Sequence, residues 1–517
     1  MTVKTGSLPA IGIFSAVPTK ADRTAAAVIG VDAKGQPAFQ PPWLDEPGRQ
    51  AFRRAARLFP KAAKAGALAG PVPNLGPNGS PGYLLRLPGA REASGWDKGA
   101  AEGLGEAIAR RVQADGHSSV LLVLAAGGAG RESAGRLARV LLGASLAAYR
   151  FDFRTKPRPN DPARLERIDL LAPNAANVTR AWNAMEPDLA GIAFARDVVN
   201  EPGNRIYPAS LADRIARRLK PEGIAVEILK PSELEKLGMG ALLAVGSGSA
   251  HPPRLVVMRW RGNRKGAPVA LVGKGVTFDT GGIDIKPGAR MEEMKGDMAG
   301  AAAVAGTMLA LARRKEPRAV VGVVPLVENM PSGTAFRPGD VVRAHDGRTI
   351  EIIDTDAEGR LILADALAYT AKRFKPRAIV DMATLTGSVI AALGHLYAGI
   401  FANDDKLAAS LIEAGRSVDE RLWRLPLDPD YDEHLKSDIA DIRQVAPDEE
   451  SADAVHAAQF MQGFVAGTPW AHLDIAGVEW LRGEGRHGAS GFAIRLLTGW
   501  LSRAIPARKA ARRKGRA

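Results

Sequence analysis

At 517 residues the chain is too long for one ordinary hydrophobic core, so two domains are expected. Hydrophobic residues at 46% and charged residues at 24% exclude a largely disordered chain. The lack of any cysteine excludes disulfides, thiolate metal sites and cysteine nucleophiles, and suits a reducing compartment, while a net charge of +14 admits a nucleic-acid partner.

The first 22 residues carry only a short apolar stretch around Ile11–Val17, without the basic and long apolar regions of a secretory signal. No apolar run approaches the roughly 18–20 residues that a membrane helix needs. A cytoplasmic protein with no membrane partner is expected. Up to about residue 170, strand-like and helical patterns alternate: Ala25–Val31, Gln50–Ala63, Ser119–Ala125 and Glu132–Leu142. Gly127-Gly128-Ala129-Gly130 lacks full dinucleotide-binding spacing and reads as a tight turn. Arg154–Pro162 reads as a loop, and Ala176–Val199 as one long helix that runs into the turn signal Asn200-Glu201-Pro202-Gly203-Asn204.

These patterns predict a smaller N-terminal α/β domain over 1–170 and a linker helix over 171–195. A larger C-terminal α/β/α domain follows over 196–505, then a basic tail over 506–517. In the larger domain, apolar strand candidates recur at Val269–Val272, Ala319–Leu326, Glu351–Ile353, Ala378–Asp381 and Ala471–Ile475. Helical stretches such as Ala299–Arg313 and Leu361–Phe374 separate them, which suggests a mixed, largely parallel sheet covered on both faces. Ligands of such sheets sit beyond the carboxyl ends of the strands.

Three segments stand near predicted strand ends. The first runs from Val272 through Lys274, Asp279, Gly281 and Gly282 to Lys286 and Pro287, and its glycines let backbone approach a ligand closely. The second, Met294-Lys295-Gly296-Asp297-Met298-Ala299-Gly300, puts Asp297 at the start of a small-residue helix. The third is Asp354-Thr355-Asp356-Ala357-Glu358-Gly359-Arg360-Leu361; on an extended backbone Asp356 and Glu358 point to one face. Carboxylates in enclosed places must be paired or metal-bound. One reading is a salt-bridge network with Lys274, Lys286 and Arg360. The other is a pair of divalent cations, for which oxygen ligands without clustered His favour Mg, Mn or Zn.

The third segment resembles the leucyl aminopeptidase signature Asn-Thr-Asp-Ala-Glu-Gly-Arg-Leu at every position but the first, and the first two segments resemble that family's lysine and metal motifs. Further matches are Gly246-Ser247-Gly248-Ser249, Glu328-Asn329-Met330-Pro331-Ser332-Gly333, Arg337-Pro338-Gly339-Asp340 and Thr384-Leu385-Thr386-Gly387. The likeness spans roughly 195–500. It implies an aminopeptidase that hydrolyses the N-terminal bond of peptides with a metal-bridged hydroxide. Asp279 and Glu358 would bridge two metals, zinc or manganese; Asp356 would complete one site, and Lys274 with Asp297 the other. Lys286 would act as electrophile and Arg360 would hold a bicarbonate base. Met294, Thr384, Leu385 and Gly387 would line the substrate pocket, and the enzyme would be a homohexamer.

No His-Glu-x-x-His, Gly-x-Ser-x-Gly or P-loop pattern occurs, which removes three other enzyme classes. A rival of another kind is a DNA-binding or regulatory protein on the same fold. Seven basic residues and no acid from Arg503 to Arg516 motivate it, although such a tail also reads as a solvated terminus. A salt-dependent shift assay with and without 503–517 separates the two. Two positions depart from the family pattern: Asp284 stands where Ser is usual, and Asp354 replaces the signature's Asn. An extended loop would put Asp284 beside Lys286 as an ion-pair partner; alternatively, both acids face solvent or cap backbone amides.

Overall fold

The computed structural model describes residues 8–16, 25–32, 34–37, 41, 43–59, 64, 66–87, 98–125, 130–156, 158, 161–447, 452–483 and 488–503. Residues 127–129 of the glycine turn and the basic tail beyond Arg503 lie outside the described residues. The chain forms two compact units, 1–206 with 480–491, and 207–479 with 492–517.

In the first unit, six strands form one sheet. They are β1 (Ala10–Phe14), β2 (Ala26–Val31), β3 (Leu68–Val72), β4 (Gly82–Arg86), β5 (Ser119–Val123) and β6 (Arg167–Leu171), in the order β1-β6-β5-β2-β4-β3. All pair in parallel except β3, which runs antiparallel to β4. The apolar runs of β2, β4 and β5 are buried throughout, as expected of strands covered on both faces.

The long helix expected over 176–199 is instead two, Ala175–Asn183 and Glu186–Asn200. Pro187 sits in the first turn of the second. It has no N–H to give the carbonyl of Asn183 and its ring would collide there, so one helix cannot continue through it.

The second unit holds β7 (Ala225–Leu229), β8 (Arg254–Trp260), β9 (Val269–Gly273), β10 (Gly275–Asp279) and β11 (Val320–Asn329). It continues with β12 (Val341–Arg343), β13 (Thr349–Glu351), β14 (Ala378–Ala383), β15 (Ala398–Ala402), β16 (Leu422–Arg424), β17 (Ile442–Arg443) and β18 (Trp470–Asp474). The main sheet has the order β16-β15-β18-β14-β9-β11-β8-β7, with β10 also on β11, and β12-β13-β17 form a small separate sheet. Parallel pairing joins β14 to β9 and β18 and β9 to β11, while β7, β8 and β15 bring antiparallel neighbours.

The central strands are almost wholly apolar and β-branched, and the helix Ala299–Arg313 is apolar all round and buried through Ala312. Glycines bring helix and sheet into contact: a Cβ on Gly273 would come 2.4 Å from the Gly300 carbonyl oxygen. The helix Glu358–Phe374 packs through Leu361, Ile362, Leu363 and Leu367 into a core that it shares with Ala270 and Val272 of β9 and Val321 and Val323 of β11.

Asp365 lies inside that helix and is fully buried. Its two oxygens accept from the Leu242 N–H at 2.8 Å and the His345 N–H at 2.7 Å. Burial pushes its carboxyl up to about 7, against the pull of those donors. Between roughly pH 4 and 7 the native state then holds a proton that the unfolded chain has lost, so this group's contribution to stability falls as pH rises through that window. The stability difference between the protein and Asp365→Asn should therefore shrink, by on the order of a few kcal/mol, from about pH 5 to pH 8. Thermal melts across that range check it; a pH-independent difference would contradict it.

Candidate metal centre

The three chemistry-bearing segments converge beyond the carboxyl ends of β9, β10 and β11. Lys274 follows β9 directly, and its backbone is held on both sides: its N–H donates to the Met382 carbonyl at 3.0 Å, and its carbonyl accepts from Ala301 at 2.8 Å. Asp279 closes β10, a strand hidden in the glycine-rich segment and paired in parallel with β11. Asp297 follows a short 3-10 helix, Met291–Gly296, and precedes the helix Ala299–Arg313.

Asp356 lies in a turn. Glu358 is the first residue of its helix rather than part of an extended segment, which corrects the expected backbone. A helix N-terminus favours a carboxylate there. The two side chains still meet: oxygens of Asp279, Asp356 and Glu358 lie within 4.8 Å of one another.

Two lysines interleave the acids. Lys274 Nζ lies 2.7 Å from Asp297 Oδ1 and 2.8 Å from Glu358 Oε1, and donates to the Thr384 carbonyl at 2.8 Å. Lys286 Nζ lies 2.9 Å from Asp279 Oδ2 and also contacts Asp356. Burial alone would lower both ammonium groups, but the surrounding carboxylates hold both well above the ordinary lysine range.

The acids shift the other way. Burial, then neighbouring carboxylates, raise Glu358 and push Asp356 up to about 7. Burial likewise raises Asp297 well above its usual range, against Lys274. Four acids thus face two lysines in an enclosed space, and Asp297 Oδ2 is buried without a hydrogen-bond partner. Such a set of hard oxygen donors fits added divalent cations, which would relieve the repulsion and take up the unpartnered oxygen.

The signature turn is clamped from several sides. Asp354 Oδ1 accepts the Asp356 N–H at 2.7 Å, so this departure from the family caps a backbone amide. Asp284 does not pair with Lys286. Its Oδ2 accepts the Thr355 N–H at 2.8 Å and the Thr355 hydroxyl at 3.1 Å, because Gly281 and Gly282, at φ +88° and +71°, turn the loop onto that residue. Alkaline limbs of the pH–rate profile should therefore superimpose for the protein and Asp284→Ser; a limb displaced to lower pH in the variant would restore the pairing.

Arg360 is buried. It donates to the Gln444 carbonyl at 3.0 Å and to Asp453 Oδ1 at 2.5 Å, and its Nε has no hydrogen-bond partner. Of the expected pocket residues, Thr384 faces the cluster, donating its hydroxyl to Asp297 Oδ1 at 2.7 Å. Leu385 lies against Gly359, where an added Cβ would come 2.9 Å from Leu385 Cδ1 and 2.7 Å from Lys274 Cε. Gly387 opens the helix Gly387–Leu393, and Met294 is half-buried in the 3-10 helix.

Three residues that the sequence reading gave no role help to hold the site. Gln444 accepts the Ile353 N–H at 2.6 Å and donates to the Asp354 carbonyl at 2.8 Å. Asp474 accepts the Leu385 N–H at 3.1 Å and the Thr386 hydroxyl at 2.7 Å. Asn329 donates to Asp279. Asn329 and Asp474 each close an apolar strand with a polar side chain, a sequence signal that was available.

A lysine-threaded carboxylate cluster at the strand ends of a mixed α/β sheet fits a divalent-metal centre. The catalytic-domain model of the cytosol aminopeptidase family matches residues 193–498. A probable cytosol aminopeptidase of Brucella ovis is 50% identical over 368 residues, 70% of this chain and 73% of the relative. Another from Agrobacterium fabrum is 50% identical over 372 residues, 71% and 74% of the two chains. A solved structure described as the bottromycin maturation enzyme BotP in complex with Mn aligns at TM-score 0.75 and 34% identity, covering 93% of this chain and 99% of that one. The chain belongs to the cytosol aminopeptidase family and is a metallo-aminopeptidase. Among the described residues no helix is long and apolar enough to cross a membrane.

Proposed function

We propose that Lys274, Asp279, Asp297, Asp356 and Glu358 hold two divalent cations, zinc or manganese, and that the site hydrolyses the N-terminal bond of peptides. The observation that carries this is the convergence of four carboxylates on two lysines, with one buried carboxylate oxygen left unpartnered. When bound, the cations would supply a nucleophilic water at neutral pH and polarise the scissile carbonyl.

The chain's own groups divide the remaining tasks. Asp279 and Glu358 lie between the lysines and would be shared by both ions, Asp356 would serve one, and Lys274 with Asp297 the other. Lys274 can act as a ligand only as a neutral amine. Burial already favours that form, and the opposing pull of Asp297 and Glu358 weakens once cations neutralise them. Lys286, partly open to solvent, stays charged between Asp279 and Asp356 and would meet the negative charge that develops on the carbonyl oxygen.

Arg360 Nε, a buried donor without a hydrogen-bond partner, would hold a bicarbonate, which would supply a general base there. Met294 with Thr384, Leu385 and Gly387 would border the first side chain, and the requirement for a free α-amino group limits cleavage to the N-terminus. A cytoplasmic homohexamer acting on peptides accompanies this assignment, as the family resemblance implies.

The test is hydrolysis of a panel of aminoacyl-p-nitroanilides by protein reconstituted with zinc or manganese, alongside their N-acetylated counterparts. Release is expected only from free-amine substrates. No release with either metal, or equal release from the blocked substrates, would defeat the assignment.

A further inference from the structure

The geometry points to Asn329 as the positioning residue that fixes which oxygen of Asp279 faces the metal centre and ties Asp279 to the turn carrying Asp356. This rests on the assignment of Asp279 and Asp356 as metal ligands.

Asn329 is the last residue of β11 and is fully buried. It stands opposite Asp279 in the β10–β11 register, after an irregularity between Val276 and Asp279. Its backbone carbonyl accepts the Thr280 N–H at 3.0 Å and the Thr280 hydroxyl at 2.8 Å, which anchors the residue to the start of the lysine loop. Its side-chain amide donates to Asp279 Oδ1 at 2.9 Å and to the Thr355 carbonyl at 3.0 Å. Both neighbours are pure acceptors, so only the NH₂ end of the amide can face them.

The consequence lies in how Asp279 is used. Oδ1 also accepts the Gly281 N–H at 2.9 Å, so two donors occupy it. Oδ2 is turned the other way, toward Lys286 Nζ. With Oδ1 held, Asp279 presents one oxygen to the cluster and cannot rotate to chelate a single ion with both. The second amide hydrogen bond pulls on the residue before Asp356, so a single buried amide sets the spacing of two ligands from different segments. Gly282 leaves room for it: a Cβ there would come 2.7 Å from Asn329 Oδ1. No ionisable group is available at 329 to act in the chemistry itself, which makes the role one of position.

Asn329→Ala removes both donors, and Asn329→Asp keeps the shape while replacing the donor by an acceptor. The full-length variants, stripped and titrated with Mn²⁺ by calorimetry, should bind manganese roughly tenfold or more weakly than the parent, the usual scale for losing an outer-shell partner. In electron paramagnetic resonance, the exchange-coupled signal of a paired manganese site should give way to isolated-ion lines. Circular dichroism of the stripped proteins checks that the fold is kept, and Asn329→Ala decides alone should the extra buried carboxylate of Asn329→Asp prevent folding. A folded Asn329→Ala with the parent's isotherm and paired-manganese spectrum would overturn the inference. A parent that binds no manganese pair would instead defeat the metal-site assignment, which keeps the two failures distinct.

Discussion

Glu358→Ala should leave the protein folded while activity falls on the order of a thousandfold or more, the scale for removing a member of a catalytic unit. Glu358 is the first residue of its helix, its side chain is 1% exposed, and it lies 2.8 Å from Lys274 Nζ. Burial and the nearby Asp279 already raise its carboxyl, so the metal-free protein gains nothing from adding this charge to a crowded site. Its deletion relieves that crowding and leaves Lys274 with Asp297 and the Thr384 carbonyl as partners. The stripped variant should therefore melt at or above the temperature of the stripped parent, yet bind fewer metal ions. Metal analysis after reconstitution, melting curves and turnover together check this. Parental turnover with both ions retained would make Glu358 a structural ion-pair partner only.

Lys286→Ala separates charge stabilisation from metal binding. Lys286 is the more open of the two lysines, with 22% of its side chain exposed against 4% for Lys274, so a substrate can reach it. Asp279 and Asp356 hold it charged at the rim of the cluster. Loss of one preorganised donor to a developing oxyanion costs about 3–4 kcal/mol, so turnover should fall roughly 10²- to 10³-fold. Metal content should not fall, because removing a cation from beside Asp279 and Asp356 makes the site more receptive to metal ions. An unchanged turnover number with a raised Michaelis constant would assign Lys286 to ground-state binding of the substrate.

Much of the site was legible as sequence because its carboxylates and lysines sit in three short motifs. Asp356 to Arg360 and Lys274 to Lys286 are local strings. The apolar runs at Val269–Val272, Ala319–Leu326 and Ala378–Asp381 predicted the strands that bring these strings together, and the small-residue run Ala299–Arg313 predicted its helix at both ends. Pro187 also carried a readable signal, a break inside an apparent long helix, that the 3.6-residue periodicity on either side obscured.

By itself, the sequence determined the class of fold, the family and the short charged motifs that converge, because periodicity and motif spacing are properties of neighbouring positions. Only the tertiary structure decided how those residues pair. Asp284 lies two positions from Lys286 yet bonds Thr355, since the left-handed turn at Gly281-Gly282 redirects the loop. Lys286 instead meets Asp356, 70 positions away, and Lys274 meets Thr384, 110 positions away. Asn329 reaches Asp279 because a β-strand irregularity sets the β10–β11 register. A hydrogen bond or ion pair depends on distances of a few ångströms, and in this site those distances are set by strand register and loop direction across the sheet, which no local pattern encodes.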